Sequence, residues 1–561
     1  MRHRTPGRYR QAALAAALVI AAVMLSVLAP SAGATAGFVP ISGSGSTWSS
    51  NAQDQWRRNV ASLYGITVNF SPDGSTSGRN DFRTGQVDYA VSEIPFGLKD
   101  GGVLDPNPPR AFGYMPIVAG GTSFMYNLHV GGKRVTNLRL SGETLTKIFT
   151  QQITNWSDPA IHADNPGLTL PARTIVPVVY SNGSGTSAAF TGWMANQYPA
   201  LWDDYCHRNG KNTPCGFTSF YPLGPGMQAK AQSQGVAGFV AQDTSEGAIT
   251  YVEYSYARNA GFPVAKLLNK AGYFVEPTAG NVAVALLQAK LNSDLTSDLG
   301  QVYVDADPRA YPMSSYSYMI VPKDTSPDSH FNTEKGKTLS EFAAYFLCEG
   351  QQQADTLGYS PLPINLVQYG VDQINQIPGS TKKLDRNNLA HCNNPTVAPD
   401  GGNLVAENAP QPSPCDKQGA PTQCTVGTGG AKQNTAPSGG GSVGANGGAN
   451  GGTAGTNGGI NGGANGGTNG GTGNPAAAGG GTAADGSNTG GVIDPNTGQV
   501  LGGSSSGSGS SDVSALPVSV DSADNRRQMV LGTLAAVLLL ALVLGPPLVA
   551  RTMRAREGPQ A

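Results

Sequence analysis

Between Gly37 and Thr396 short apolar, β-branched runs alternate with amphipathic segments. Thr67–Phe70, Tyr89–Ser92, Phe112–Val118, Ile175–Val179 and Tyr318–Val321 read as strands bounded by turn residues. Ser49–Tyr64, Ser141–Phe149, Ser187–Gln197, Asn281–Leu291 and Leu339–Cys348 read as helices. This alternation predicts an α/β fold. A folded part of about 360 residues is larger than single cores usually grow, so two lobes with a cleft between them are expected.

The pattern changes at both ends. Arg2, Arg4, Arg8 and Arg10 precede an apolar run from Ala12 to about Leu28, followed by Pro30 and small residues. This predicts a secretory signal peptide over residues 1–36. From Gly401 to Asn525 apolar periodicity is lost, and units such as Asn446-Gly447-Gly448-Ala449 recur. That composition cannot offset its ordering entropy, so a disordered Gly/Asn/Ser-rich linker over 401–525 is expected. Met529–Ala550 carries no charge and is flanked by Arg526, Arg527 and Arg551, which predicts one transmembrane helix at 529–550 and an inner tail at 551–561. The rival for this end is a tail trimmed by a sortase, but Leu516-Pro517-Val518-Ser519 lacks the Thr-Gly of such a signal. The remaining domain is 37–400.

Net charge is -1 and charged residues make up 13%, which excludes the basic field of a nucleic-acid binder. Six cysteines suit an exported, oxidising setting. Cys206 and Cys215 flank one short loop and Cys415 and Cys424 another, so local pairs are expected, with Cys348 and Cys392 remaining. Spacing leaves the connectivity open. Paired C-x-x-C spacing is absent, so neither a metal site nor a cofactor is expected.

Candidate chemistry sits at element junctions. Tyr180-Ser181-Asn182-Gly183-Ser184-Gly185-Thr186 follows a strand and opens a helix, where glycines admit close backbone approach and the first turn offers unpaired N–H groups. Ser42-Gly43-Ser44-Gly45-Ser46-Thr47-Trp48 and Ser71-Pro72-Asp73-Gly74-Ser75-Thr76-Ser77-Gly78 also precede helices, and Asp88–Glu93 ends a strand with a carboxylate. Hydroxyls and helix N-termini with few cations suit a small dehydrated oxyanion.

With these turns in place, the folded region resembles the phosphate-binding proteins that feed ABC-type phosphate transporters. The resemblance runs over about residues 41 to 378 and includes Leu140–Phe149, Ile153–Ile161, Gly247–Ala257 and Ser360-Pro361-Leu362-Pro363. It implies a two-lobed periplasmic-binding-protein-like clamp, with lobe I at about 38–124 and 271–390 and lobe II at about 125–270. It implies anion donors at Thr47, Trp48, Ser75, Ser184, Gly185 and Thr186, and Glu93 as acceptor for a proton-bearing phosphate oxygen.

Two departures stand out. The family usually has Asp where this chain has Glu93, and it has an Arg and an Asp where Tyr180 and Asn182 stand. Loss of that Arg removes the pocket's one full cation. Arg79 is the candidate ligand or counter-charge, against a plain exposed helix arginine. Tyr180 is the candidate neutral donor, against a residue packed in the cleft wall.

The leading expectation is a non-enzymatic receptor, tethered to the outer face of the plasma membrane, that captures inorganic phosphate for an ABC permease. One alternative keeps the fold and binds another oxyanion or a phosphorylated compound. A second is a surface sensor or adhesion protein without tight anion binding. No serine with a partnered histidine and acid stands out, and Gly183-Ser184-Gly185 lacks Gly-x-Ser-x-Gly spacing, so no catalytic residue is expected.

Overall fold

Eight strands carry the frame: β1 (Ile41–Gly45), β2 (Val68–Ser71), β3 (Tyr89–Ser92), β4 (Phe112–Tyr126), β5 (Val176–Tyr180), β6 (Gln228–Lys230), β7 (Ala248–Glu253) and β8 (Ser314–Pro322). They are hydrogen-bonded in the order β6-β5-β7-β4-β8-β3-β1-β2. The computed structural model describes residues 37–325, 330–382, 384–389, 392–396 and 402–431, with the backbone of 492–493 and 500–501. The expected signal peptide and membrane helix lie outside the described residues, as does the stretch 432–491. Among the described residues no helix is long and apolar enough to cross a membrane.

The described residues up to 431 fall in one unit. In the second unit, Val492–Ile493 pairs antiparallel with Val500–Leu501.

Within the first unit, strand β4 joins two lobes. Its first part pairs antiparallel with β8, from Phe112↔Pro322 to Gly121↔Ser314. Its last part pairs antiparallel with β7, from Thr122↔Glu253 to Tyr126↔Ile249. The sequence pattern predicts this strand only as far as Val118, because Ala119-Gly120-Gly121-Thr122-Ser123 are mostly poor strand formers. Pairing with β8 up to Gly121 and with β7 from Thr122 overrides that weakness. Small residues are needed here, since a Cβ on Gly120 would stand 2.7 Å from the Trp48 ring.

Two apolar cores lie to either side of this crossing. The first gathers Trp48, Trp56, Val91, Ile117, Phe342, Phe346 and Val371. The second gathers Phe124, Phe149, Phe190, Trp202, Tyr251 and Val252. The ring centroids of Phe149 and Phe190 lie 5.0 Å apart in an edge-to-face arrangement, and those of Phe190 and Tyr251 are 4.9 Å apart. Each such ring, fully buried, contributes roughly 1.5–3 kcal/mol by area.

Four helices follow four parallel strands. Helix α1 (Ser50–Tyr64) follows β1, α2 (Ser75–Arg83) follows β2, α3 (Gly185–Gln197) follows β5, and α4 (Gln232–Val240) follows β6. The pairings β1–β2, β1–β3, β5–β6 and β5–β7 are all parallel. Each helix therefore starts near the carboxyl end of its strand, where open α/β sheets bind ligands. Helix α4 escapes the sequence pattern because Gly235 and Gly238 dilute its apolar face.

The segment after Gly401 corrects an expectation. Residues 402–431, assigned to the linker from composition, pack on the folded unit. Arg309 donates to the carbonyls of Ala406 and Ala409, Lys266 pairs with Asp416 at 2.7 Å, and Asn137 donates to the Cys424 carbonyl. These polar bonds, together with the Cys415–Cys424 disulfide, hold a stretch that has little apolar surface of its own. Cys206–Cys215 and Cys348–Cys392 complete the bonding, and no described cysteine is free.

Candidate functional site

The four helix N-termini converge where β4 passes between the lobes. Thr47 lies in the turn into α1, Ser75 opens α2, Gly185 and Thr186 open α3, and Ser233 stands in the first turn of α4. All of these side chains are buried. Each helix start directs N–H groups that have no partner within the helix, and the positive end of its dipole, toward the junction.

Three hydroxyls converge on Glu93, just past the end of β3. Ser46 Oγ donates to Oε2 at 2.6 Å, Ser75 Oγ to Oε2 at 2.9 Å and Ser317 Oγ to Oε1 at 2.6 Å. The Gly185 amide of the other lobe donates to Ser75 Oγ at 3.0 Å, so the two lobes meet on this serine. Gly185 is required by contact: a Cβ there would fall 1.9 Å from Glu93 Oε2. Desolvation pushes the Glu93 carboxyl above its ordinary value, while the Ser317, Ser46 and Ser75 hydroxyls oppose that shift.

A second carboxylate stands opposite. Glu253 ends β7 and is fully buried. Thr186 Oγ1 donates to its Oε1, and Ser233 Oγ donates to Oε2 at 2.7 Å. Ser233 Oγ is also 2.7 Å from Thr47 Oγ1 and 3.0 Å from the Tyr180 hydroxyl. Burial pushes Glu253 up to about 7, Thr186 and Ser233 oppose, and the charge of Glu93 adds to the rise. Among the described residues neither carboxylate forms an ion pair.

The remaining expected residues fall as follows. Ser184 is the N-cap of α3; its Oγ accepts from the Thr186 and Ser187 amides, so its own hydrogen is not used in the cap. Trp48 is buried, its amide donates to Ser46 Oγ at 3.0 Å and its carbonyl accepts from the Tyr359 hydroxyl. Tyr180 stacks on Tyr251 with centroids 5.4 Å apart and bonds Ser233 rather than facing an open cleft. Asn182 ties lobe to lobe by donating to the Asp73 carbonyl, and it accepts from the Gln232 amide of its own lobe.

Arg79 is not an exposed helix arginine. It is buried, its Nε is 2.6 Å from Asp105 Oδ2, and one terminal nitrogen is 4.0 Å from Asp100 Oδ2. Its charge is met by two aspartates on the segment after β3. Asp100 in turn accepts from the Ser219 amide and hydroxyl of the other lobe.

Glu253 and Ser233 escape the sequence reasoning. Glu253 carries the same signal as Glu93, a lone carboxylate closing an apolar run, in Ile249-Thr250-Tyr251-Val252-Glu253. Ser233 has no such signal, since its role depends on how α4 docks.

The arrangement can hold a compact oxyanion by neutral donors and test it for a hydrogen through a carboxylate. Comparison with known proteins agrees with this reading of the fold. The PBP superfamily domain matches residues 29–349, more than half of the chain. The chain is 30% identical over 331 residues to the phosphate-binding protein PstS of Xylella fastidiosa, covering 59% of this chain and 83% of that protein. It is 30% identical over 346 residues to the phosphate-binding protein PstS 2 of Mycobacterium tuberculosis, covering 59% and 87%. The chain belongs to the PBP superfamily, in the family of phosphate-binding proteins that these relatives represent.

Proposed function

We propose that this protein captures inorganic phosphate outside the cytoplasm and passes it to a separate ABC-type permease. The observation that carries the reading is the meeting of four helix N-termini and their buried hydroxyls where β4 crosses between lobes. Such donors replace the hydration of a small multivalent anion without a full cation. The relatives named above, all phosphate-binding proteins, support phosphate as the anion.

The proposed contacts are the hydroxyls of Thr47, Ser75, Ser184 and Thr186 and the main-chain N–H groups of Trp48, Gly185 and Thr186. Glu93 is proposed as the acceptor for a hydrogen on the ligand. Hydrogen phosphate brings that hydrogen and sulfate does not, and a buried acceptor left facing a dianion is costly. The protein is proposed to bind and release its ligand unchanged. The sequence of residues 1–36, the glycine-rich stretch and the apolar run 529–550 support export, a tether and a membrane anchor on the outer face.

Calorimetric titration of the full-length chain with phosphate, sulfate and arsenate tests this. Micromolar or tighter phosphate binding is expected, with sulfate weaker by on the order of a hundredfold. Sulfate as strong as phosphate would favour a broader oxyanion binder, and no heat with any of them would favour a sensor or adhesion role. Thr186→Val should weaken phosphate by about 1–3 kcal/mol, since it removes a buried donor and strips Glu253 of a partner. Unchanged affinity would take that turn out of the site.

A further inference from the structure

Glu253 lies in the same hydroxyl network as the proposed ligand donors, and hydrogen counting gives it a role. A hydroxyl has one hydrogen to donate. Thr186 spends its hydrogen on Glu253 Oε1 and Ser233 spends its own on Oε2. With that hydrogen committed, Ser233 Oγ takes the hydrogens of Thr47 and Tyr180, which lie 2.7 and 3.0 Å away. As a carboxylate, Glu253 thus draws four hydroxyl hydrogens toward itself and away from any anion at the helix starts. As a carboxylic acid it donates one hydrogen, to Thr186 or to Ser233, and the hydroxyl that accepts it is free to turn its own hydrogen on the ligand.

We infer that phosphate binding in this cleft is coupled to uptake of one proton by Glu253, which acts as a positioning residue that orients the Thr186 and Thr47 hydroxyls. The inference rests on the phosphate reading of the site. Charge points the same way. Glu93 is the charged neighbour of Glu253, and the phenols of Tyr180, Tyr256 and Tyr359 face it from β5, the start of the following helix and the C-terminal part of the first lobe. No described Lys, Arg or His pairs with it. Placing an anion beside two ionised carboxylates without a cation is unfavourable, and one added proton relieves it. Burial, which already holds the group near 7, makes that proton accessible at neutral pH.

The test is calorimetry of the full-length chain with phosphate at pH 8.5, where the free ligand is a dianion, in two buffers of different ionisation heat. The wild type is expected to take up close to one proton per phosphate, and its affinity to fall up to tenfold per pH unit above pH 8. Glu253→Gln, which mimics the protonated acid, is expected to bind at pH 8.5 at least as tightly as the wild type and to take up about one proton fewer. Phosphate binding to the wild type without proton uptake overturns the inference alone. Undiminished uptake in Glu253→Gln also overturns it, since the proton then goes elsewhere. Absence of phosphate binding at every pH from 6 to 8.5 takes down the phosphate reading, and this inference with it. Should Glu253→Gln fail to fold, proton uptake with phosphate in Glu93→Gln decides: undiminished uptake leaves Glu253 as the group that gains the proton, and its loss overturns the inference.

Discussion

Gly185→Ala is expected to weaken phosphate capture by on the order of a hundredfold while leaving the fold intact. The added Cβ would lie 1.9 Å from Glu93 Oε2 and 2.6 Å from Ser75 Oγ. Glu93 cannot swing aside freely, because Ser46, Ser75 and Ser317 fix both of its oxygens. The start of α3 must then move away from the first lobe, and the Gly185 amide loses Ser75 Oγ. A displacement of about 1 Å at this point takes several proposed donors out of reach together, and a loss on the order of a hundredfold in affinity follows. Alanine is the better helix former by roughly 0.5–1 kcal/mol, so helix propensity does not lower stability here. Thermal unfolding and calorimetry on the same sample separate the two effects. Affinity within about threefold of wild type, with stability unchanged, would mean the two lobes do not close on this glycine.

The second large effect falls on stability. Arg79→Met is expected to destabilise the protein by about 3 kcal/mol or more, because it leaves Asp105 and Asp100 without their buried partner. Arg83 still reaches Asp105, so the loss on that carboxylate is partly offset. Asp100 has no second cation among the described residues, and it also receives Ser219 from the other lobe. Urea unfolding measures the loss. Adding Asp100→Asn to Arg79→Met should recover part of it, since the stranded charge is then removed while the amide oxygen can still accept from Ser219. A wild-type midpoint for Arg79→Met would contradict the buried pair.

Much of this architecture is legible in the sequence, where local chemistry and tertiary context agree. Strand β3 and the helix starts at Ser75 and Gly185 are marked by apolar runs that end in Gly, Ser and Thr, and Glu93 is visible as a carboxylate closing such a run. What stays hidden depends on distant partners. Strand β4 runs through Gly120 and Gly121 because β8 pairs with both and β7 takes up the strand from Thr122. Arg79 is removed from the list of free cations by Asp105, 26 positions away along the chain. Ser233 joins the site through α4, whose glycines mask its period. Residues 402–431 look like linker by composition and are fixed by side chains from Asn137, Lys266 and Arg309. Glu253 is legible by the rule that singles out Glu93, once Ala248–Glu253 is read as a strand.

The account turns on neutral donors from two lobes surrounding one anion. A crystal structure of the chain grown with phosphate tests it most directly. The expected result is one phosphate within hydrogen-bond distance of Thr47, Ser75, Ser184 and the Gly185 and Thr186 amides, with Glu93 accepting from it and no arginine or lysine side chain touching it. Phosphate held instead by a cationic side chain, or seated away from these helix starts, would contradict the account.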